Sequence, residues 1–415
     1  MSHLSLPLPR SLSPRSAFAL AAGIVGLALF ASGTPSPLYG LYRSLWGFSP
    51  AVLTLVYGTY AFGVLAALLV AGRLSDEVGR RPVLLIALAT LMVTAGVFMV
   101  ADSVAWLFVA RGLQGLATGL ALSAASAALL DLHPRRDPVG AGLANGVASV
   151  SGMGLGVLIS SAVVQWLPDP RVLPYVVLEV LFAAALAMTL RLDDPVAPSP
   201  DARPRLRPQR PGVPPVVRGP FLLAALGVIS SWSTGGLFLS LGPELAGSIL
   251  HSGSPIVAGL AIFSLPAAGA IAQILYGRRA AWAGAAVGSL VLAAGMGLLV
   301  IAAATASGVL FLVACVAAGA GFGVAFLGAL RALSSAIPPA HRAAVMSAFY
   351  VVAYAAISVP AVIAGFLTTP LGLTSTFEVF GSAIAALALV VAAEAWRTRP
   401  RAAATGCAAA EPAGV

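Results

Sequence analysis

An all-α fold that crosses a membrane about twelve times, as two bundles of six helices, is what this chain predicts. Three observations carry that reading. Hydrophobic side chains make up 59% of the 415 residues and charged ones 9%, too little polar surface for a water-soluble body of this size. The apolar residues fall into runs of about 20 or more, the length a helix needs to cross a bilayer. The 23 basic residues, all of them arginine, gather in alternate connections between those runs.

Arg10 and Arg15 precede the first run, 16–38, as they would in a signal peptide. The run is long and no small-residue cleavage pattern follows it, so it is read as a retained first helix. Further spans are expected at 50–71, 82–101, 104–130, 139–166 and 172–192, then after a break at 220–241, 255–276, 281–304, 309–333, 343–367 and 376–396. This divides the chain into an N-terminal bundle (1–192), a proline- and arginine-rich linker (193–218), a C-terminal bundle (219–398) and a low-complexity tail (399–415). Proline density in the linker forbids a regular helix.

If the N-terminus is cytoplasmic, twenty arginines fall on the inner face, only Arg43 and Arg171 on the outer face, and Arg111 within a span. That asymmetry predicts a multi-pass protein of the cell (inner) membrane with both termini cytoplasmic. The formal charge of +9 then reads as topology and not as a nucleic-acid surface. Cys315 and Cys407 are not expected to meet, and the four histidines show no metal-ligand spacing. No phosphate-binding loop occurs, so no cofactor is expected and an ion gradient would be the energy source.

The two halves also repeat. A shift of 204 positions places Gly115 on Gly319, Gly119 on Gly323 and Pro134 on Pro338; a shift of 205 places Pro50, Gly72 and Arg73 on Pro255, Gly277 and Arg278. Repeated six-helix units suit a transporter, because alternating access needs two bundles that rock about a central site.

The connection 72–82 reads Gly-Arg-Leu-Ser-Asp-Glu-Val-Gly-Arg-Arg-Pro. Gly72 and Gly79 allow tight backbone at its ends. Asp76 is placed to cap a helix or pair with an arginine of the same loop, and Arg80 and Arg81 pin the loop to one side. Acidic groups in so basic a loop point to a charge lock that breaks when the bundles rock; a simple turn would need neither Asp76 nor Glu77. The corresponding 276–279 keeps Gly277 and arginine but has no acid, which predicts a lesser lock.

Over essentially its whole length the chain resembles the major facilitator superfamily. The loop is similar to that family's Gly-x-Leu-Ala-Asp-Arg-x-Gly-Arg-Lys signature at Gly72, Leu74, Asp76, Gly79, Arg80 and Arg81, with Glu77 where the pattern has a basic residue. Arg111-Gly-Leu-Gln-Gly resembles the family's fourth-helix motif, whose arginine is linked to proton coupling. The resemblance implies a secondary transporter, of the drug:proton antiporter group.

Arg111, Gln114, Gly115 and Thr118 share one helix face. An intramembrane arginine costs at least about 2.5 kcal/mol unless it meets a cavity or partner. The fifth span carries Gly142, Asn145, Ser149, Gly152 and Gly156 in a small-residue seam, which suits close helix packing. It resembles the drug exporters' fifth-helix motif in its glycines, without the proline. Glu179 is the one carboxylate clearly inside a span; it can carry a proton, pair with Arg111 or reach the headgroups. The first span has no acid. Tyr57, Tyr60, Gln114, Asn145, Trp232, Tyr350 and Tyr354 form the expected substrate surface. Rings with a few hydroxyls suit a moderately hydrophobic organic molecule, cations included, bound through ring faces.

The expectation is a monomeric exporter of small, drug-like compounds driven by proton antiport, with proton, substrate and lipid as its partners. A symporter importing a sugar, organic acid or other metabolite is the alternative, and a receptor or channel the further one.

Overall fold

Each long apolar run becomes a helix because backbone that enters lipid must satisfy its own N–H and C=O groups. In the computed structural model, which describes residues 12–72, 74–196, 210–338 and 341–399, no strand occurs among the described residues. The first half comprises α1 (Pro14–Gly33), α2 (Tyr39–Trp46), α3 (Pro50–Ala71), α4 (Leu74–Val78), α5 (Arg80–Met99), α6 (Val104–Asp131), α7 (Pro138–Trp166) and α8 (Leu173–Thr189). The second comprises α9 (Arg218–Ser240), α10 (Gly242–Ile249), α11 (Pro255–Tyr276), α12 (Ala281–Thr305), α13 (Gly308–Ala336), α14 (Arg342–Leu371) and α15 (Leu373–Arg397). Eleven of these helices are long and apolar enough to cross a bilayer, and α8, with 17 residues, sits at the short end of the spanning range. Two sets of six spans result, with α2, α4 and α10 as short accessory helices.

Local chemistry sets the starts. Ser49 Oγ accepts from Val52 N at 3.3 Å ahead of Pro50, and Asp137 Oδ1 accepts from Val139 N at 2.9 Å ahead of Pro138. The first span stops short of the expected residue 38: α1 ends at Gly33, Pro35 and Pro37 interrupt the hydrogen-bond ladder, and α2 begins at Tyr39. The second half repeats the device, α9 giving way to α10 with Pro243 in its first turn. Most of the linker, 197–209, and the tail from 400 onward lie outside the described residues.

Repetition extends to packing. A Cβ on Gly115 would fall 2.2 Å from Tyr60 O, and one on Gly319 would fall 2.0 Å from Leu265 O. Gly119 meets Val64 O at 2.8 Å and Gly323 meets Gly269 O at 2.5 Å in the same sense. The glycines matched in sequence therefore do one job twice, seating α6 on α3 and α13 on α11 at backbone distance. Gly152 and Gly156 likewise face Gly26 O and Phe30 O of α1, so the small-residue seam of α7 packs helices.

The halves meet along two pairs, α7 with α11 and α3 with α14. Gly154 lies against Pro266 in the first pair and Gly365 against Thr54 in the second. One apolar core fills the first bundle; the second bundle's core runs across the seam to include Tyr57 and Val157 of the first.

Candidate functional site

Arg111 is fully buried on α6. Its Nε donates to the Tyr39 hydroxyl at 2.9 Å, and Nη2 donates to the same oxygen. Nη1 donates to Ser32 O at 3.1 Å and to Gln114 Oε1 at 2.6 Å, while Gln114 Nε2 donates to Ala31 O at 2.9 Å. The rings of Tyr60, Tyr39 and Tyr57 surround the guanidinium at 5.3, 5.5 and 5.9 Å. Hydrogen bonds and ring quadrupoles thus replace solvent, and among the described residues no carboxylate is a partner of the guanidinium.

The sequence folds this way for traceable reasons. Gly115 and Gly119 let α3 approach closely enough to lay Tyr57 and Tyr60 over the arginine. The proline break after α1 brings Tyr39 back against it. From Tyr60 the site continues across the seam: Tyr60, Tyr354, Trp232 and Tyr350 belong to one apolar cluster. Trp232 packs edge-on against Tyr354 at 5.2 Å and at a tilt of 48° against Phe326 at 5.4 Å.

Six of the seven residues expected to face substrate therefore join Arg111 in one continuous aromatic and polar array spanning both bundles. Asn145 stands apart, accepting from Ser126 Oγ at 2.7 Å. Glu179 does not reach Arg111; it is half-buried and makes no ion pair or side-chain hydrogen bond among the described residues. Sequence reading missed Tyr39 and Ser32, although an arginine with five donors in lipid called for acceptors beyond Gln114.

The 72–82 connection is a lock within the first bundle. Arg80 Nε donates to Asp131 Oδ2 at 3.1 Å, and Nη1 donates to Ser75 Oγ at 2.8 Å and to Asp76. Asp194 accepts from the Arg80 and Arg81 backbone N–H groups at 3.0 and 3.1 Å, and Arg81 Nη2 donates to Leu190 O at 2.6 Å. Asp76 thus pairs with a loop arginine, while Asp131 and Asp194 tie the start of α5 to the end of α6 and to the segment after α8. Gly79 is required twice, for its φ of 100° and because a Cβ would lie 2.2 Å from Asp194 Oδ2. Glu77 is partly buried. The second half carries a lock of opposite chemistry: Arg331 of α13 donates to the carbonyls of Gly277 and, at 3.1 Å, Arg279.

At the opposite, arginine-poor face the two bundles are joined directly. Arg43 Nη1 donates to Glu244 Oε2 at 2.7 Å, and Ser36 Oγ donates to Leu239 O at 2.6 Å. Beside them lies a cavity of about 590 Å³ between α2, the end of α7, α10 and the start of α11, with Tyr39 among its lining residues.

Two helical bundles related by an internal repeat, closing a buried polar site at their seam, define a polytopic membrane transporter. The profile of the Major Facilitator Superfamily matches residues 18–360, and the chain belongs to that family. The human organic anion transporter MFSD10 (TETRAN) shares the fold, with a TM-score of 0.67 at 17% identity over 92% of this chain and all of that one. Two multidrug resistance proteins MdtL, from strains of Klebsiella pneumoniae, are 31% and 32% identical over 125 residues, which is 29% of this chain and 32% of each relative. These matches span about a third of the length of the curated relatives.

Proposed function

We propose that this chain exports small organic, drug-like compounds in exchange for protons by alternating access, with its arginine-rich face in the cytoplasm. The observation that carries the proposal is the single array from Arg111 through Tyr57 and Tyr60 to Tyr354, Trp232 and Tyr350, built by both bundles at their seam. A substrate held there touches both moving parts, so its binding is felt by the rocking equilibrium. The partial similarity to the MdtL multidrug resistance proteins supports the drug-like substrate class.

In this reading the tyrosines, Trp232 and Gln114 contact substrate, with Asn145 further along the path. Arg111 and Glu179 couple proton movement to it. The Arg80 lock holds the first bundle's helix ends together on the cytoplasmic side, Asp76, Gly79 and Arg81 completing it and Gly72 and Glu77 shaping its approach. The proton gradient supplies the energy and no cofactor takes part. The test is a substrate screen in proteoliposomes with a pH-sensitive dye inside: saturable substrate movement with opposed proton movement is expected, and proton movement in the substrate's direction would overturn antiport.

A further inference from the structure

The cavity at the arginine-poor face carries a charge pattern that the transport reading does not use. Among the described residues Arg43 and Glu244 are the only charged ones lining it, and they are paired to each other across the two bundles. Arg43 Nε is buried without a hydrogen-bond acceptor among the described residues, so one edge of the guanidinium fork is unused. Tyr39, whose hydroxyl accepts from Arg111, also lines the cavity. Of the rings lining the space, that of Tyr39 is already turned to Arg111. Ser36, Ser161 and Ser240 line the same space with hydroxyls, and its volume of about 590 Å³ suits a small organic molecule.

We propose that this cavity is a subsite for the anionic group of an amphipathic organic acid, which docks on the Nε and Nη2 edge of Arg43 and competes with Glu244, held on Nη1, for the guanidinium charge. The inference rests on the transporter reading and specifies the charge of its substrate. A carboxylate presents two acceptors to the two parallel donors of the fork, a stronger and more directional pairing than the single Nη1 contact to Glu244. Because the Arg43–Glu244 pair joins the halves, its weakening by a ligand carboxylate on the other edge of Arg43 would loosen the bundles on that face as the substrate enters, coupling binding to opening.

The experiment uses the purified full-length protein and three probes sharing one apolar body: 2-naphthylacetate, its methyl ester and 2-(2-naphthyl)ethylamine. Binding is measured calorimetrically in detergent and flux in proteoliposomes. The acid should bind more tightly than either other probe. Arg43→Gln should weaken the acid by about tenfold or more while leaving the ester unchanged, the size expected for a lost charge-assisted pair. Glu244→Gln, which frees Arg43, should tighten the acid several-fold, an opposite sign that a folding defect would not produce. Failure of the acid to bind, an amine that binds as tightly as the acid, or an acid affinity unmoved by both substitutions would overturn the subsite. Acid binding that responds to both substitutions without any flux upholds the subsite and counts instead against export.

Discussion

Arg111 grips the Tyr39 hydroxyl with two of its nitrogens, the Nε contact at 2.9 Å, and neutralises its charge on no carboxylate among the described residues. A guanidinium held only by neutral oxygens and ring faces depends on every one of them. Removing the hydroxyl in Tyr39→Phe takes away the acceptor of two N–H groups, at about 1.5–3 kcal/mol for a hydrogen bond to a charged group. We expect at least about a tenfold fall in transport kcat/KM and a lower melting temperature. Arg111→Lys should be more severe, since an ammonium cannot reach Tyr39, Ser32 and Gln114 together. Flux in proteoliposomes and a fluorescence melt measure both; wild-type behaviour of Tyr39→Phe in both assays would refute the dependence.

Gly115 and Gly319 hold equivalent places in the two bundles, each with a neighbouring carbonyl 2.2 and 2.0 Å from where its Cβ would sit. Alanine at either forces the helices apart, an overpacking cost of about 1–3 kcal/mol. Gly115→Ala should also displace Tyr60 from Arg111 and so reduce transport more than Gly319→Ala at similar loss of stability. Gly142, with open space around it, is the control: its alanine variant should melt like the parent.

Asp194 caps the backbone N–H groups of Arg80 and Arg81. Asp194→Ala should lower stability by about 0.5–2 kcal/mol, as for lost helix caps, and raise amide exchange at the start of α5. Glu77→Arg, which restores the residue usual in the family's signature, leaves the acceptors Ser75, Asp76 and Asp131 of the Arg80 side chain in place and so tests position 77 separately from them. A tenfold change in flux from Glu77→Arg would show that the lock runs through position 77.

If Glu179 carries the coupled proton, Glu179→Gln separates coupling from binding. Downhill counterflow of substrate should persist while pH-driven accumulation is lost. Equal loss of both would remove Glu179 from the coupling step, and equal retention would do the same.

Most of the fold was legible because lipid leaves the backbone few options. Span positions followed from apolar length, sidedness was proposed from arginine placement, and the glycine matches at a shift of 204 marked true structural equivalents. The site was legible in part. Arg111, Gln114 and five of the aromatic positions could be named because polar groups in lipid demand partners, yet Tyr39 was hidden behind the proline break that ends α1 early. Asp131 and Asp194 were unreadable as partners of Arg80: each is a helix-end acid, and which arginine it meets depends on how α5, α6 and α8 converge.

Composition and periodicity by themselves determined that this chain spans a membrane as two repeated sets of helices, since hydrophobic length and charge placement are local properties read one segment at a time. Which side chains face one another was decided only by the tertiary structure. Close packing through glycine brought Tyr57 and Tyr60 onto Arg111, kept Glu179 away from it, and set Arg43 of one bundle against Glu244 of the other. Such contacts are fixed by the geometry of helices distant in sequence, and no single segment encodes them.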